Sequence, residues 1–268
     1  MARSEYRMTT EAITSEFVSL ERRDAVGIIR LNRPAARNAI SAAMAQAIEA
    51  YVAAVEADPT IRVGIIAAEG PVFCAGADLK DVAAGKATQL VRPLTGFAGF
   101  VYASKAKPWI ASVQGPAHGG GTEIALSCDM IVASTAANFA LPEVKRGIIA
   151  GAGGAYRIAR ALPRVIAAEM VTTGIPLDAA RAFAAGLINR LVAPEDLLEA
   201  TFGLAAAVAA NSPLSVRESL SITRRAAGGD EAIFRGLEAQ AIARVMNGPD
   251  AVEGAAAFVE KRAPVWKS

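Results

Sequence analysis

Histidine is almost missing from this 268-residue chain, with His118 its single example. That scarcity argues against a zinc site. Cysteine is nearly as scarce. Cys74 and Cys128 form no CxxC pair, have no metal-ligand neighbours and sit in apolar contexts. They read as small buried core residues rather than as a disulfide. Aromatics make up 6% of the chain. No uninterrupted apolar run reaches membrane-spanning length, and the opening "MARSEYRMTTEAITSEF" has no apolar core of signal-peptide length. The formal net charge is only +2, without a basic cluster interleaved with aromatics. Neither nucleic acid nor a membrane is expected as a partner. The expectation is a soluble cytoplasmic protein.

Apolar residues are abundant, at 53% of the chain, enough for a sizeable core. "FVSLERRDAVGIIRLN" reads as two strands about a charged turn at Arg22–Asp24. "SAAMAQAIEAYVAAVEADP" reads as a helix capped by Ser41 and stopped at Asp58-Pro59. "VGIIAAEG", "PWIASVQG" and "MIVAS" are short apolar strands, and "GGGTEIALSC" is a loop entering a helix. Alternating strands and helices predict an α/β fold with a mostly parallel sheet. After about Asn189, four segments starting at "NRLVAPEDLLEATFGL" read as helices. Their apolar faces, such as Ile233, Leu237 and Phe258, need something to cover. The expected organisation is a tail at 1–16, an α/β core at 17–194 and a helical region at 195–268.

Nucleotide and hydrolase motifs fail on inspection. "GAGGAY" lacks the third glycine of G-x-G-x-x-G, "AAGKAT" lacks the first glycine of a P-loop, and neither G-x-S-x-G nor H-E-x-x-H occurs. Two glycine-bearing turns remain, "PVFCAGADLK" and "AHGGGTE", each just after a strand. They could be ordinary tight connections. They could also expose backbone N–H groups to an oxyanion from two sides. Glu123 stands at the start of a helix, where an acid suits the dipole, yet its neighbours look buried. Glu143, in "NFALPEV", is also set among apolar residues. Two carboxylates in apolar surroundings suit acid–base work, because burial raises at least one pKa. A salt bridge to Arg146 or Arg157 is the structural alternative. His118 has no nucleophile in a recognisable setting and reads as a wall residue.

The blocks "LNRPAARNAI", "FCAGADLK", "KPWIASVQGPAHGGGTEIALSCDMIVAS", "ANFALPEVKRGI", "GAGGAYRIAR", "AAGLINRLV" and "AVEGAAAFVEKR" occur together in this order. In that combination the chain resembles the enoyl-CoA hydratase (crotonase) family from about Phe17 to its end. The resemblance implies a spiral of ββα units, a C-terminal helical trimerisation region, and trimers that stack into hexamers. It implies a coenzyme A thioester as substrate, with no metal or redox cofactor. Carried over by position, Ala77 and Gly120 would supply the oxyanion-hole N–H groups. Arg37, Ala75, Gly76, Asp78, Leu79 and Gly119 would contact the coenzyme or the thioester. Lys261, on the last helix, would reach phosphates from a neighbouring subunit. Solvated surface charge is the alternative for Arg37 and Lys261. Family hydratases resemble this chain in keeping both glutamates, here Glu123 and Glu143, whereas simple isomerases keep only the second. The resemblance therefore implies addition of water to a trans-2-enoyl-CoA, with Glu123 as base and Glu143 as proton donor.

The chain departs from the family pattern in places. Ala150 stands where many members have proline, and Ala155-Tyr156 where many have Thr-Gln. These positions lie beside the region that usually lines the acyl pocket in the family, and Tyr156 is large, so an unusual acyl preference is the expectation. "ANFALPE", "KRGI" and the closing segment look most like carnitinyl-CoA dehydratases, which handle a cationic acyl group. No aromatic or acidic cage for such a cation is identifiable. An enoyl-CoA isomerase and a non-catalytic acyl-CoA binder are the remaining alternatives.

Overall fold

The computed structural model describes residues 15–228, 235–236, 239–240, 242–243, 246–262 and 265. Strands β1 (Val18–Arg23) and β2 (Val26–Leu31) form an antiparallel pair, turned at Asp24 in a left-handed conformation. Helix α1 (Ala42–Ala57) follows. The Ser41 hydroxyl accepts from the Met44 N–H and caps it, and Asp58 ends it. Strand β3 (Val63–Ala68) then runs parallel to β2. Two short helices, α2 (Leu79–Ala83) and α3 (Ala87–Leu90), lead to a small hairpin of β4 (Val91–Arg92) and β5 (Gly96–Phe97).

The next stretch repeats one device. Strand β6 (Trp109–Val113) lies in the large sheet, the two-residue β7 (Ala117–His118) lies in a second sheet, and α4 (Gly120–Leu126) turns back. Strand β8 (Met130–Ser134) returns to the large sheet and β9 (Asn138–Ala140) to the small one. Helices α5 (Gly154–Ala161) and α6 (Arg164–Thr173) come next, then β10 (Leu177–Asp178) and α7 (Ala179–Ala184). The large sheet has the order β1-β2-β3-β6-β8-β11, where β11 is Arg190–Val192. The small one is β10-β9-β7, and an isolated bridge ties Cys74 to Ala117 at its edge. The chain thus winds as a ββα spiral between two sheets.

The parallel strands are apolar on both faces because both are covered. Alternation divides their side chains between two cores. Ile29, Leu31, Ile66, Val113 and Ile131 face one, with α1. Val26, Ile28, Val63, Ile65, Ile110 and Val132 face the other, together with Leu197 and Ala205 of α8 (Leu197–Ala209). The helical region therefore covers the core of its own chain, through α8. Helix α9 (Pro213–Gly228) and the helix Pro249–Val259 follow. No single described helix is long and apolar enough to cross a membrane.

Two expectations change. "RLV" in the first predicted C-terminal helix is a strand: Arg190–Val192 pairs in parallel with Val132–Ser134. Asn189 pins it, accepting from the Ile131 N–H at its side chain and donating its own N–H to the Ile131 carbonyl. A run so short carries no usable periodicity. Lys261, expected on the last helix, lies beyond it in a left-handed conformation. Residues 1–14 of the expected tail, and Ile233 and Leu237, lie outside the described residues.

Trp109 anchors the large sheet. Its indole is fully buried, donates to Glu56 Oε1 at 2.8 Å, and meets Phe100 edge-on at 5.2 Å between centroids. Gly64 on the neighbouring strand makes room for it, since a Cβ there would fall 2.5 Å from the indole. Gly64→Val is expected to destabilise the fold by about 1–3 kcal/mol through overpacking. Urea unfolding checks this, and an unchanged midpoint contradicts the packing assignment.

Candidate active site

Both glycine-bearing turns occupy the same place in successive windings of the spiral, where the chain leaves the small sheet for a helix. The Cys74–Ala117 bridge sets them side by side, and the His118 N–H donates to the Cys74 carbonyl at 2.9 Å. The approach leaves no space for side chains. A Cβ on Gly76 would lie 3.1 Å from the Gly120 nitrogen, and one on Gly121 would lie 2.1 Å from the Cys74 carbonyl oxygen. Gly76 also has φ +94, a conformation that suits glycine. Among the described residues, neither the Ala77 nor the Gly120 N–H donates to a protein acceptor. Both residues line one cavity of about 330 Å³.

The glycine at position 120 has a packing reason as well. A Cβ there would fall 2.3 Å from the Phe97 ring. Phe97 packs over this turn and lines the cavity.

Glu123 is 4% exposed on the first turn of α4. Its Oε1 accepts from the Ala152 N–H at 2.7 Å and from the Gly154 N–H at 2.9 Å. Gly154 is needed there, since its Cβ would meet Glu123 Oε1 at 2.9 Å. Two N–H donors on one oxygen suit an ionised carboxylate.

Glu143 sits in a 3-10 turn, Pro142–Arg146, started by its proline. Two glycines grip this turn from outside. A Cβ on Gly174 would lie 2.9 Å from the Pro142 Cα, and one on Gly254 of the last helix would lie 1.9 Å from the Arg146 carbonyl oxygen. Held this way, Glu143 turns into the same cavity as Glu123, with Oε1 beside Gly119. Its Oε2 is buried and has no hydrogen-bond partner among the described residues. Burial pushes the carboxyl up to about 7, against smaller opposing effects of its own backbone and the Arg146 charge. Desolvation without a compensating donor is costly for an anion, so the group holds its proton near neutrality.

The structure brings most of the expected residues together. Ala75, Gly76, Ala77, Leu79, Gly119, Gly120, Glu123 and Glu143 all line the cavity. Arg37, Asp78 and Lys261 do not line it in this chain. Arg37 has an exposed side chain, and its carbonyl accepts from the Ala75 N–H, which braces the first turn through the backbone. Asp78 is buried as the cap of α2, accepting from the Lys80 N–H and pairing with Arg33. Burial raises its pKa, but the Arg33 and Lys80 hydrogen bonds outweigh this and hold it below the usual carboxylate range. Lys261 is exposed.

His118 donates its Nε2–H to Asn138 Oδ1 at 2.6 Å and is not on the cavity lining. Tyr156 is buried but is not on the described lining; Tyr102 is. Sequence reading missed Phe97, Tyr102, Ile242 and Met246, which reach the cavity from segments without a recognisable motif. The rest of the wall is largely apolar, including Val91, Ile148 and Ile149.

Comparison with known proteins agrees with this geometry. The family described as enoyl-CoA hydratase/isomerase matches residues 21–268. A mevalonyl-coenzyme A hydratase of Aspergillus fumigatus is 40% identical over 247 residues, 90% of either chain. A carnitinyl-CoA dehydratase of Proteus mirabilis is 38% identical, covering 94% of this chain and 99% of the other. The crystal structure of a carnitinyl-CoA hydratase from Mycobacterium avium superimposes with a TM-score of 0.88 at 42% identity, over 95% of this chain and 99% of the other. These relatives share one reaction class, and the chain belongs to the enoyl-CoA hydratase/isomerase family as one of its hydro-lyases.

Proposed function

We propose that this protein hydrates a trans-2-enoyl-CoA thioester reversibly across its double bond. The observation that carries the reading is the meeting of a buried Glu123, a half-buried Glu143 and two backbone N–H groups without a protein acceptor among the described residues in one largely apolar cavity. The thioester oxygen sits against Ala77 N–H and Gly120 N–H. As water adds to the β-carbon, charge moves onto that oxygen. Fixed amides stabilise it without reorganising, and losing one such donor costs about 3–4 kcal/mol.

Water is held between the carboxyls. Glu123, ionised and fixed by two amides, accepts its proton as the oxygen bonds to the β-carbon. Glu143, protonated near neutrality, delivers a proton to the α-carbon, and exchange between the carboxyls and solvent restores both. Coenzyme A belongs to the substrate, so the reaction requires no further cofactor. Ala75, Gly76, Leu79 and Gly119 form the thioester end of the site, with Arg37, Asp78 and Lys261 as outer contacts to the coenzyme. The protein acts as a homotrimer or a hexamer of stacked trimers, with 195–268 as its assembly region.

A second reading is dehydration of a carnitinyl-CoA, favoured by the identities to proteins of that name. An isomerase would move only 3-enoyl substrates, and a binder would leave the enoyl absorbance unchanged.

Glu123→Gln and Glu143→Gln are each expected to lower crotonyl-CoA turnover by roughly 10²–10⁴-fold while leaving the fold intact. Full activity in either variant removes that residue from the mechanism. In the same assay His118→Ala keeps most of the activity; a loss matching the glutamate variants would restore the histidine to the reaction. The pH dependence has a definite sign. Glu143 is protonated below about 7, so the hydration rate is expected to fall as pH rises through that value. A kcat/KM profile flat across neutrality contradicts the donor role.

A further inference from the structure

Beyond the acyl cavity lies a second chamber of about 480 Å³, and Tyr102 lines both. Five cationic side chains line this chamber: Lys105, Arg157, Arg160, Arg224 and Arg235. Among the described residues of its lining there is one carboxylate, Asp129. That carboxylate is already engaged. Arg224 grips it with Nε on Oδ1 at 2.7 Å and Nη2 on Oδ2 at 2.8 Å, and the Trp109 N–H donates to Oδ2 at 2.8 Å.

The aromatic faces are engaged as well. The Arg235 and Arg157 guanidinium carbons lie 4.2 and 5.1 Å from the Tyr102 ring centre. Arg157 and Arg160 lie 5.2 and 5.1 Å from that of Tyr156. A quaternary ammonium group is recognised by aromatic faces or by carboxylates. On the chamber lining, resident cations occupy both kinds of partner, Asp129 and Tyr102. In the acyl cavity the two glutamates serve the water, and Arg146 adds a further positive charge. Arg157 also links the two spaces. Its Nη1 donates to the carbonyl of Ala152 on the cavity wall, and its Nη2 to the Val101 carbonyl on the chamber wall.

We propose that the acyl site discriminates on charge at the far end of the substrate, preferring a trans-2-enoyl-CoA that ends in a carboxylate to one that ends in trimethylammonium. The inference rests on the hydratase reading and narrows its substrate class. Guanidinium groups recognise carboxylates through paired N–H donors, and the summed field of one-signed side chains around a low-dielectric space acts on any charge brought toward it. Tyr102, shared by the two spaces, is the specificity-determining wall, where an acyl chain longer than crotonyl is expected to come under the influence of the basic chamber. The site thus departs from the cationic preference that the names of the carnitinyl-CoA relatives suggest.

The test compares kcat/KM for trans-2-hexenedioyl-CoA (one free carboxylate), trans-2-hexenoyl-CoA and crotonobetainyl-CoA, with crotonyl-CoA as the reference. The carboxylate substrate is expected to exceed the trimethylammonium one by at least about tenfold at low salt. Arg235→Gln, or Arg160→Gln should the first fail to fold, is expected to shrink that ratio at least about threefold while crotonyl-CoA turnover persists. A ratio of one or less, or one unchanged in the variant, overturns the inference while crotonyl-CoA turnover leaves the hydratase reading standing. No turnover of any of the four overturns the hydratase reading and this inference together.

Discussion

The close approach of two backbone turns is the constraint on which the rest depends. Gly76 and Gly120 nearly touch, and a single bridge between Cys74 and Ala117 holds them. This requires small residues where strands of the second sheet give way to helices. It also requires the winding of the spiral to place two such exits at one level. The large sheet supplies that level: β3, β6 and β8 are hydrogen-bonded neighbours, so the turns beyond their ends emerge side by side. Trp109, Gly64 and the two alternating cores are thus the support on which the amides rest. An amide fixed by a sheet needs no reorganisation when charge develops, which is why rigid backbone can serve where a mobile side chain would lose part of its effect.

The second constraint is the cost of burying carboxylates. The two glutamates meet it in opposite ways. Glu123 receives two backbone N–H groups on one oxygen. Glu143 has an oxygen with no partner among the described residues and is pushed up to about 7. One environment favours the anion and the other the acid, and that divergence separates base from donor. The turn carrying Glu143 is packed under both α6 and the last helix, through Gly174 and Gly254. The C-terminal region therefore bears directly on the site as well as covering the sheet with α8.

Much of this was legible in the sequence. Ser41 and Asp58-Pro59 bounded α1, and short β-branched runs marked the parallel strands. The two glycine turns and two glutamates stood out as unusual types in apolar settings. Position by position, however, the reasons differed. Gly120 reads as an oxyanion-hole amide, and its small size is also required because Phe97 lies over it. Tyr156 reads as an acyl-pocket residue, but Tyr102 lines the cavity, supplied by a segment without periodicity or motif. Asp78, expected at the coenzyme, also caps α2 and pairs with Arg33, a structural role that its motif does not announce. Local sequence specifies such turns and caps; which wall a side chain joins depends on contacts between segments far apart in the chain. The basic chamber was invisible for the same reason, since its cations come from separate elements.

The central claim is that the Ala77 and Gly120 amides polarise the thioester oxygen. Isotope-edited infrared spectroscopy of carbonyl-labelled crotonyl-CoA tests it most directly, using the Glu123→Gln/Glu143→Gln double variant so that turnover does not intervene. The account predicts that the thioester carbonyl stretch moves to lower frequency on binding than in water, and that Ala77→Pro, which removes one N–H, returns it most of the way. A bound carbonyl with the frequency of the free thioester would contradict the account.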